Sequence, residues 1–354
     1  MKIAITADLH LTTRQEHPER YHALEKILDQ MNEDRIDTLI IAGDLFNETS
    51  RNYSEFENFC KETNRRHNHF HVIPGNHDAR IENTMFAAEN VTVYSKPEIA
   101  KFDLMSLPFL FLPYKKDKTM GDLIASFHSE LDHHKWVLIG HGDWVETMRE
   151  VNPLESGIYM PLTRTDLEIF KPVRVVLGHI HKPMDRNIVA YPGSPCPLDI
   201  NETGRRRFLV VDTENGSVTP QTVESDEIYF NETFIILPVK DEQAYLRAQI
   251  ESRIKSWDLT ERERSKVRIR VKILGYTSDR RVLMETLREG FRGFTFHKNG
   301  EPDIDDVSVN GDLERAEIAQ QVMKSIEEMT WPENEEEPGK DQILLEALRV
   351  IYGD

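Results

Sequence analysis

Aspartate, asparagine and histidine recur along this chain in five short groups: Asp8-Leu9-His10, Gly43-Asp44, Gly75-Asn76-His77-Asp78, Gly140-His141 and Gly178-His179-Ile180-His181. Carboxylate, amide and imidazole groups ligate Mn, Fe or Zn, and no cysteine stands among them to select thiolate-loving metals. Two such cations about 3.5–4 Å apart can hold a phosphate's oxygens together with an attacking water. They need a carboxylate able to bridge them and open positions for substrate. One residue separates Asp8 from His10, and one separates His179 from His181, so each pair can reach a common cavity from a single strand end. Gly43, Gly75, Gly140 and Gly178 adjoin these groups and allow tight turns and close backbone approach. Any one group alone is commonplace, and an isolated strand-end histidine is more often a packing residue. Five in order, each after an apolar run, are not.

The elements that must position them alternate in type. Residues 2–6, 38–42, 70–73, 136–139 and 173–177 read as buried strands. Residues 18–31, opening on Pro18, and 122–131 have helical periodicity. Such alternation predicts an α/β layered fold with crossover connections, in which polar residues beyond the strands' carboxyl ends converge on one crevice. Further strands are expected at 188–191, 208–212 and 217–223, the last two joined by the turn Glu214-Asn215-Gly216. Acidic residues 224–227 and the pair Asn231-Glu232 read as a linker. Beyond it, a strand at 234–239, a helix at 242–257, a strand at 267–273 and a helix at 279–289 predict a small α+β module. A helix at 312–329, an acidic spacer at 332–339 and an apolar helix at 342–352 follow. The expected division is therefore 1–224, 234–309 and a helical, acidic tail at 310–354.

Composition bounds the function. Of 354 residues, 39% are hydrophobic and 30% charged, as in a soluble globular protein. No apolar run reaches the length of a membrane span, and Asp8 and His10 interrupt the place where a signal peptide's apolar region would lie. Cys60 and Cys196 stand far apart without a CxxC pattern, which predicts no disulfide framework and a reducing cytoplasm. The net charge of −18 opposes binding of a polyanion. Part of it is local, since residues 312–354 hold twelve Asp/Glu against four Lys/Arg.

The order DxH, GD, GNHD, GH, GHxH resembles that of the calcineurin-like metallophosphoesterases, over residues 1–200. The wider text is similar to the SbcD-type subunits of the nuclease complex of DNA double-strand-break repair. It comprises TADLHL, AGDLF, VIPGNHD, LPFLFLPY, LGHIHKP and YPGSPCPLDINE. This resemblance implies a layered metallophosphoesterase sandwich with a small C-terminal capping domain. It also implies two Mn²⁺ ions, one held by Asp8, His10, Asp44 and His181, the other by Asp44, Asn76, His141 and His179, with Asp44 bridging. His77 would stabilise the phosphorane or protonate the leaving oxygen, with Asp78 orienting it, and the attacking species would be hydroxide. Asn47 stands where some members carry histidine, which leaves the balance between exonuclease and endonuclease action open.

The same resemblance implies a Mn-dependent DNA exo- and endonuclease of DNA repair and recombination. It would act as a homodimer with an SMC-like ATPase partner of the SbcC type, bound by the tail helices. Ile343, Leu344, Leu345, Leu348, Val350 and Ile351 would supply an apolar surface on a detached helix; the alternative is a helix folded back on its own module. Arg205, Arg206 and Arg207 could contact DNA or form a solvated turn before Phe208. Lys115-Lys116 and Arg65-Arg66 are weaker candidates, and His17, His67, His69, His71, His133 and His134 read as surface or strand-face histidines. Two rival functions are a small-molecule phosphodiesterase or phosphoprotein phosphatase of the same fold, and a scaffold subunit with a degenerate site.

Overall fold

A computed structural model describes residues 1–47, 53–62, 64–132, 134–145, 157–330 and 339–353. His133 and most of the spacer at 332–339 lie outside them. The chain divides into two compact units, Met1–Leu198 with Arg205–Asp226, and Asp199–Gly204 with Glu227–Asp354.

The first unit is a layered α/β sandwich of two six-stranded sheets. One sheet runs Val218–Val223, Arg206–Asp212, Lys2–Thr6, Thr38–Ala42, His69–Ile73, Val91–Val93. The other runs Met184–Arg186, Val189–Tyr191, Arg174–Gly178, Val137–His141, Phe109–Leu112, Glu98–Ala100. Central neighbours are parallel, with Ile5 opposite Ile40, Ile40 opposite His71, and Val176 opposite Ile139. Antiparallel strands lie at the margins.

Central strands read as continuous apolar runs because both faces are buried. In Thr38–Ala42, Ile40 and Ala42 face the layer between the sheets, packed with Phe109, Phe111, Val137 and Ile139. Leu39 and Ile41 face the other way, against Leu24, Leu28, Phe56 and Phe59 of the helices Pro18–Glu33 and Tyr53–Lys61. The second sheet's outer face is covered by Met120, Ile124, Leu167 and Phe170. Removing each such side chain from water is worth about 2 kcal/mol. The helix expected at 122–131 is instead two short ones, Met120–Ala125 and His128–Leu131; Phe127, at φ −109° and ψ 6°, breaks the helical run.

The second unit is built on four parallel strands: Ile228–Ile236, Val267–Thr277, Thr295–Phe296 and Val307–Val309. Its first strand begins six residues before the expected 234. Residues 228–233 are not linker, because Ile228, Phe230 and Glu232 alternate inward. The Glu232 carboxylate, whose polarity suggested a loop, is buried and accepts hydrogen bonds from Trp257 Nε1 at 2.9 Å and from Arg253. The tail helix Lys340–Tyr352 is not detached. Leu344, Leu348 and Tyr352 pack with Leu237, Tyr276 and Ala319, and Ile343 and Ile351 flank them. The Tyr276 and Tyr352 rings stack at 4.2 Å. Val350 points outward, 82% exposed. Among the described residues, no helix is long and apolar enough to cross a membrane.

His71, in the third strand of the first sheet, stacks on Tyr94 and hydrogen-bonds its hydroxyl at 2.9 Å. Burial lowers its pKa from 6.5 to about 4. The folded state therefore refuses a proton that the unfolded chain takes below pH 6.5, so this contribution is complete above 6.5 and declines as pH falls toward 4. Urea unfolding of the wild type and of His71→Phe at pH 7.5 and 5.5 should differ in slope. The wild type is expected to lose about 1 kcal/mol more over that interval.

Candidate metal centre

Parallel strands present their carboxyl ends at one edge, and every candidate ligand lies there. Asp8 and His10 follow Lys2–Thr6, Asp44 follows Thr38–Ala42, and Asn76 and His77 follow His69–Ile73. His141 ends Val137–His141, and His179 and His181 follow Arg174–Gly178. The first two loops continue side by side. Asp8 N donates to Gly43 O at 3.1 Å, His10 N to Asp44 O at 2.9 Å and Leu11 N to Leu45 O at 2.8 Å. Asp8, His10, Asp44 and His179 all have left-handed backbones, with φ of 54°, 46°, 50° and 96°. Non-glycine residues held there store strain that the surrounding structure must offset, and such strain clusters at functional sites.

Their side chains converge. His10 Nε2 lies 3.2 Å from His181 Nε2 and 3.7 Å from Asp44 Oδ2. His141 Nε2 lies 3.2 Å from the same Asp44 oxygen and 2.8 Å from Asn76 Oδ1, which is itself 3.2 Å from His179 Nδ1. Three overlapping groups each bring donor atoms within 4.8 Å of one another: Asp8, His10 and His181; His10, Asp44 and His77; Asp8, Asp44 and His141. The His141 Nδ1–H donates to Ala42 O at 2.9 Å, which fixes the ring's orientation and turns Nε2 toward Asp44 and Asn76.

Most of this set is buried: Asp8, Asp44, His141 and His179 are each at most 1% exposed. Burial raises the Asp8 carboxyl to about 6 against the pull of His181 and His141. Burial also pushes Asp44 up, but His141, His10 and His77 outweigh it and hold that carboxyl well below the usual range. Burial lowers His10 to about 3. His141 is pushed down by burial, yet Asp44 and Asp8 lift it to about 10.

The residues fit divalent cations on their own chemistry. Asp8 Oδ2 is buried without a hydrogen-bond partner among the described residues. Beside it, imidazole nitrogens of neighbouring histidines face each other, and the donors are oxygens and imidazoles only. Nor is there room to spare: a Cβ at Gly75 would lie 2.1 Å from Asp44 Oδ1, and one at Gly43 2.0 Å from His141 Nδ1.

The sequence profile described as calcineurin-like phosphoesterase matches residues 1–183, just over half of the chain. The chain belongs to that family. It is also similar to the SbcD component of the nuclease SbcCD of Staphylococcus saprophyticus, with 24% identity over 264 residues, covering 63% of this chain and 68% of that protein. Among solved structures, Yfce, a phosphoesterase from E. coli, covers 63% of this chain and all of that one. It has 13% identity and a TM-score of 0.30.

Within this phosphoesterase, two expectations need correction. Asp78 does not orient the His77 ring. Its Oδ1 accepts from Gly75 N at 2.7 Å and its Oδ2 from Phe46 N at 3.0 Å, so it ties two ligand loops together. Burial and the nearby Asp44 raise its pKa to about 7. The 205–207 run is not a fully solvated turn of free cations. Arg206 is 1% exposed, its Nε donating to Ser194 O at 2.7 Å. Arg207 is committed to both Asp185 oxygens, at 2.7 and 3.0 Å, and Arg205 is half-buried. Arg65 is likewise buried, over the Phe59 ring, and Lys115 Nζ donates to Ser95 O.

Two supporting residues escaped the sequence reading. Asp143 is buried with Oδ1 3.8 Å from His179 Nε2, and its Oδ2 accepts from Tyr159 N at 2.7 Å. Its place two residues after His141 was the available signal. Tyr191 donates to Gly142 O at 2.8 Å and accepts from Trp144 N at 2.7 Å; it opens the YPGS segment, but nothing in the sequence gave it this role.

A methyl group at Gly178 would lie 2.0 Å from Ala42 O, a backbone atom that cannot swing aside. Gly178→Ala should therefore destabilise the first unit by about 3 kcal/mol, the scale of an overpacked core. Urea unfolding followed by circular dichroism measures it; a loss below about 1 kcal/mol would show that the two loops can part.

Proposed function

We propose that this chain is a manganese-dependent DNA nuclease that hydrolyses phosphodiesters at a two-cation centre and works in DNA repair with an SMC-like ATPase. One observation carries the two-cation reading: Asp44 Oδ2 lies 3.7 Å from His10 Nε2 and 3.2 Å from His141 Nε2, between two donor groups. Asp8, His10, Asp44 and His181 would hold one ion, and Asp44, Asn76, His141 and His179 the other. Bound there, the cations would supply Lewis acidity toward the phosphoryl oxygens and an ionised water at neutral pH.

The remaining chemistry belongs to side chains. His77 is half-buried, its ring edge-on to His10 at 4.7 Å and its backbone N–H donated to Asp44 Oδ1 at 2.9 Å. That bond fixes the loop while leaving the ring near the donor cluster, where it can protonate the departing oxygen or stabilise charge on the phosphoryl group. Asp78 sets the height of the same loop through Gly75 and Phe46. The Staphylococcus relative, part of a nuclease by name, supports a nucleic acid as substrate, and the small second unit, 227–354, would serve as the capping domain. The outer face of the tail helix, with Leu345 and Val350, would dock the ATPase. The same reading makes the protein a cytoplasmic homodimer. Its net charge of −18 favours the alternative of a small-molecule phosphodiesterase or phosphoprotein phosphatase on the same centre.

Purified protein with Mn²⁺ should degrade end-labelled duplex or single-stranded DNA, and a chelator should stop it. Activity confined to small diesters or phosphoproteins would reject the nuclease reading. His77→Ala should retain metal and lose at least about a hundredfold in rate, whereas Asp44→Ala should lose metal; a silent His77→Ala would remove that residue from the chemistry. Leu345→Lys with Val350→Lys should abolish capture of the ATPase and spare cleavage of a small phosphodiester. Undiminished capture would place the partner elsewhere.

A further inference from the structure

Two guanidinium groups are buried beside the histidines of the centre. Arg206 is 1% exposed and Arg20 9%. Arg20 Nη1 donates to the backbone carbonyl of His10, and Arg206 Nη2 to that of His181. These are the two histidines whose Nε2 atoms meet at 3.2 Å. Each therefore has its backbone gripped by a buried arginine.

The Arg206 grip is the more elaborate. Its Nε donates to Ser194 O at 2.7 Å, and its Nη2 also donates to Ser194 Oγ at 2.8 Å. Ser194 N in turn donates to His181 O at 3.1 Å. Gly193, at φ 73°, comes so close that a Cβ there would lie 2.5 Å from the same carbonyl. Arg206 opens the strand Arg206–Asp212, which pairs with Lys2–Thr6, the strand leading to Asp8 and His10. A planar guanidinium can span two acceptors with fixed geometry, which an ammonium cannot. The turn at 193–194, the loop at 179–181 and the strand of the first sheet are thereby joined at one atom, His181 O.

We propose that Arg206, with Arg20 acting likewise on His10, is a positioning residue that sets the approach of His181 to His10. It thereby sets the affinity of the cation position formed by Asp8, His10, Asp44 and His181. This rests on the two-cation reading above. Neither arginine touches substrate; they act through the histidine backbones, as residues behind metal ligands commonly do, at a cost of about 10–100-fold in affinity when removed.

The test titrates Mn²⁺ into the full-length, chelator-stripped protein by calorimetry, with electron paramagnetic resonance reporting a coupled ion pair. Wild type should bind two ions. Arg206→Met should bind one ion with unchanged affinity and the other about tenfold or more weakly, with the coupled signal lost at matched concentrations. Arg206→Lys, which keeps the charge but not the fork, should fall between. If Arg206→Met does not fold, Arg206→Lys decides by the same readout. Wild-type affinity at both positions, or equal weakening of both, overturns the positioning role while leaving the two-cation centre standing. A wild type that binds no ion removes both.

Discussion

A single carboxylate, that of Asp44, organises the first unit's functional edge. Its Oδ1 accepts the His77 backbone N–H, and its Oδ2 faces His10 and His141 from different strands. Asp44 can sit there only because Gly43 adopts a φ of 93° and Gly75 has no side chain. Every other element of the site can be described by how it approaches that group. The first sheet delivers Asp8, His10, Asn76 and His77, the second delivers His141, His179 and His181, and the apolar layer between the sheets fixes their separation.

Two carboxylates in one interior have been given opposite characters. Asp44 is ringed by imidazoles and stays ionised. Asp8, with one oxygen committed to His179 N and the other without a hydrogen bond among the described residues, is easily protonated. The apolar environment makes each ionisation depend on its nearest charges, so a cation entering the cluster displaces protons as it binds. The left-handed backbones at Asp8, His10, Asp44 and His179 point the same way, since strain of that kind persists only where neighbouring structure over-determines it.

Much of this was legible in the order of residues. Apolar runs located eight of the twelve strands of the first unit's two sheets to within a few residues but not Val91–Val93, Glu98–Ala100, Phe109–Leu112 or Met184–Arg186, and the rule that parallel strands gather their carboxyl ends explained why five distant motifs should meet. What escaped has a common cause: a residue's partner cannot be read from its own type. Glu232 looks like linker but is paired with Arg253 and Trp257. Arg206 looks like a DNA contact but faces inward to Ser194 and His181. Asp78, beside His77 in sequence, bonds two amides instead. The tail helix looked unpartnered because Tyr276, on which it packs, lies more than sixty positions before it.

The packing of His141 has a consequence for how such a centre can change. Its Nδ1 would lie 2.0 Å from a Cβ at Gly43 and 2.8 Å from one at Gly178, so this one ring crowds the space beside both glycines. A larger side chain cannot enter at 141 unless two loops on different sheets move together, and a smaller one would leave a void between them. Substitution at this edge is thereby least constrained at the half-buried rim, Asn76 and His77. The three interior positions form a locked triplet that can be altered jointly or not at all.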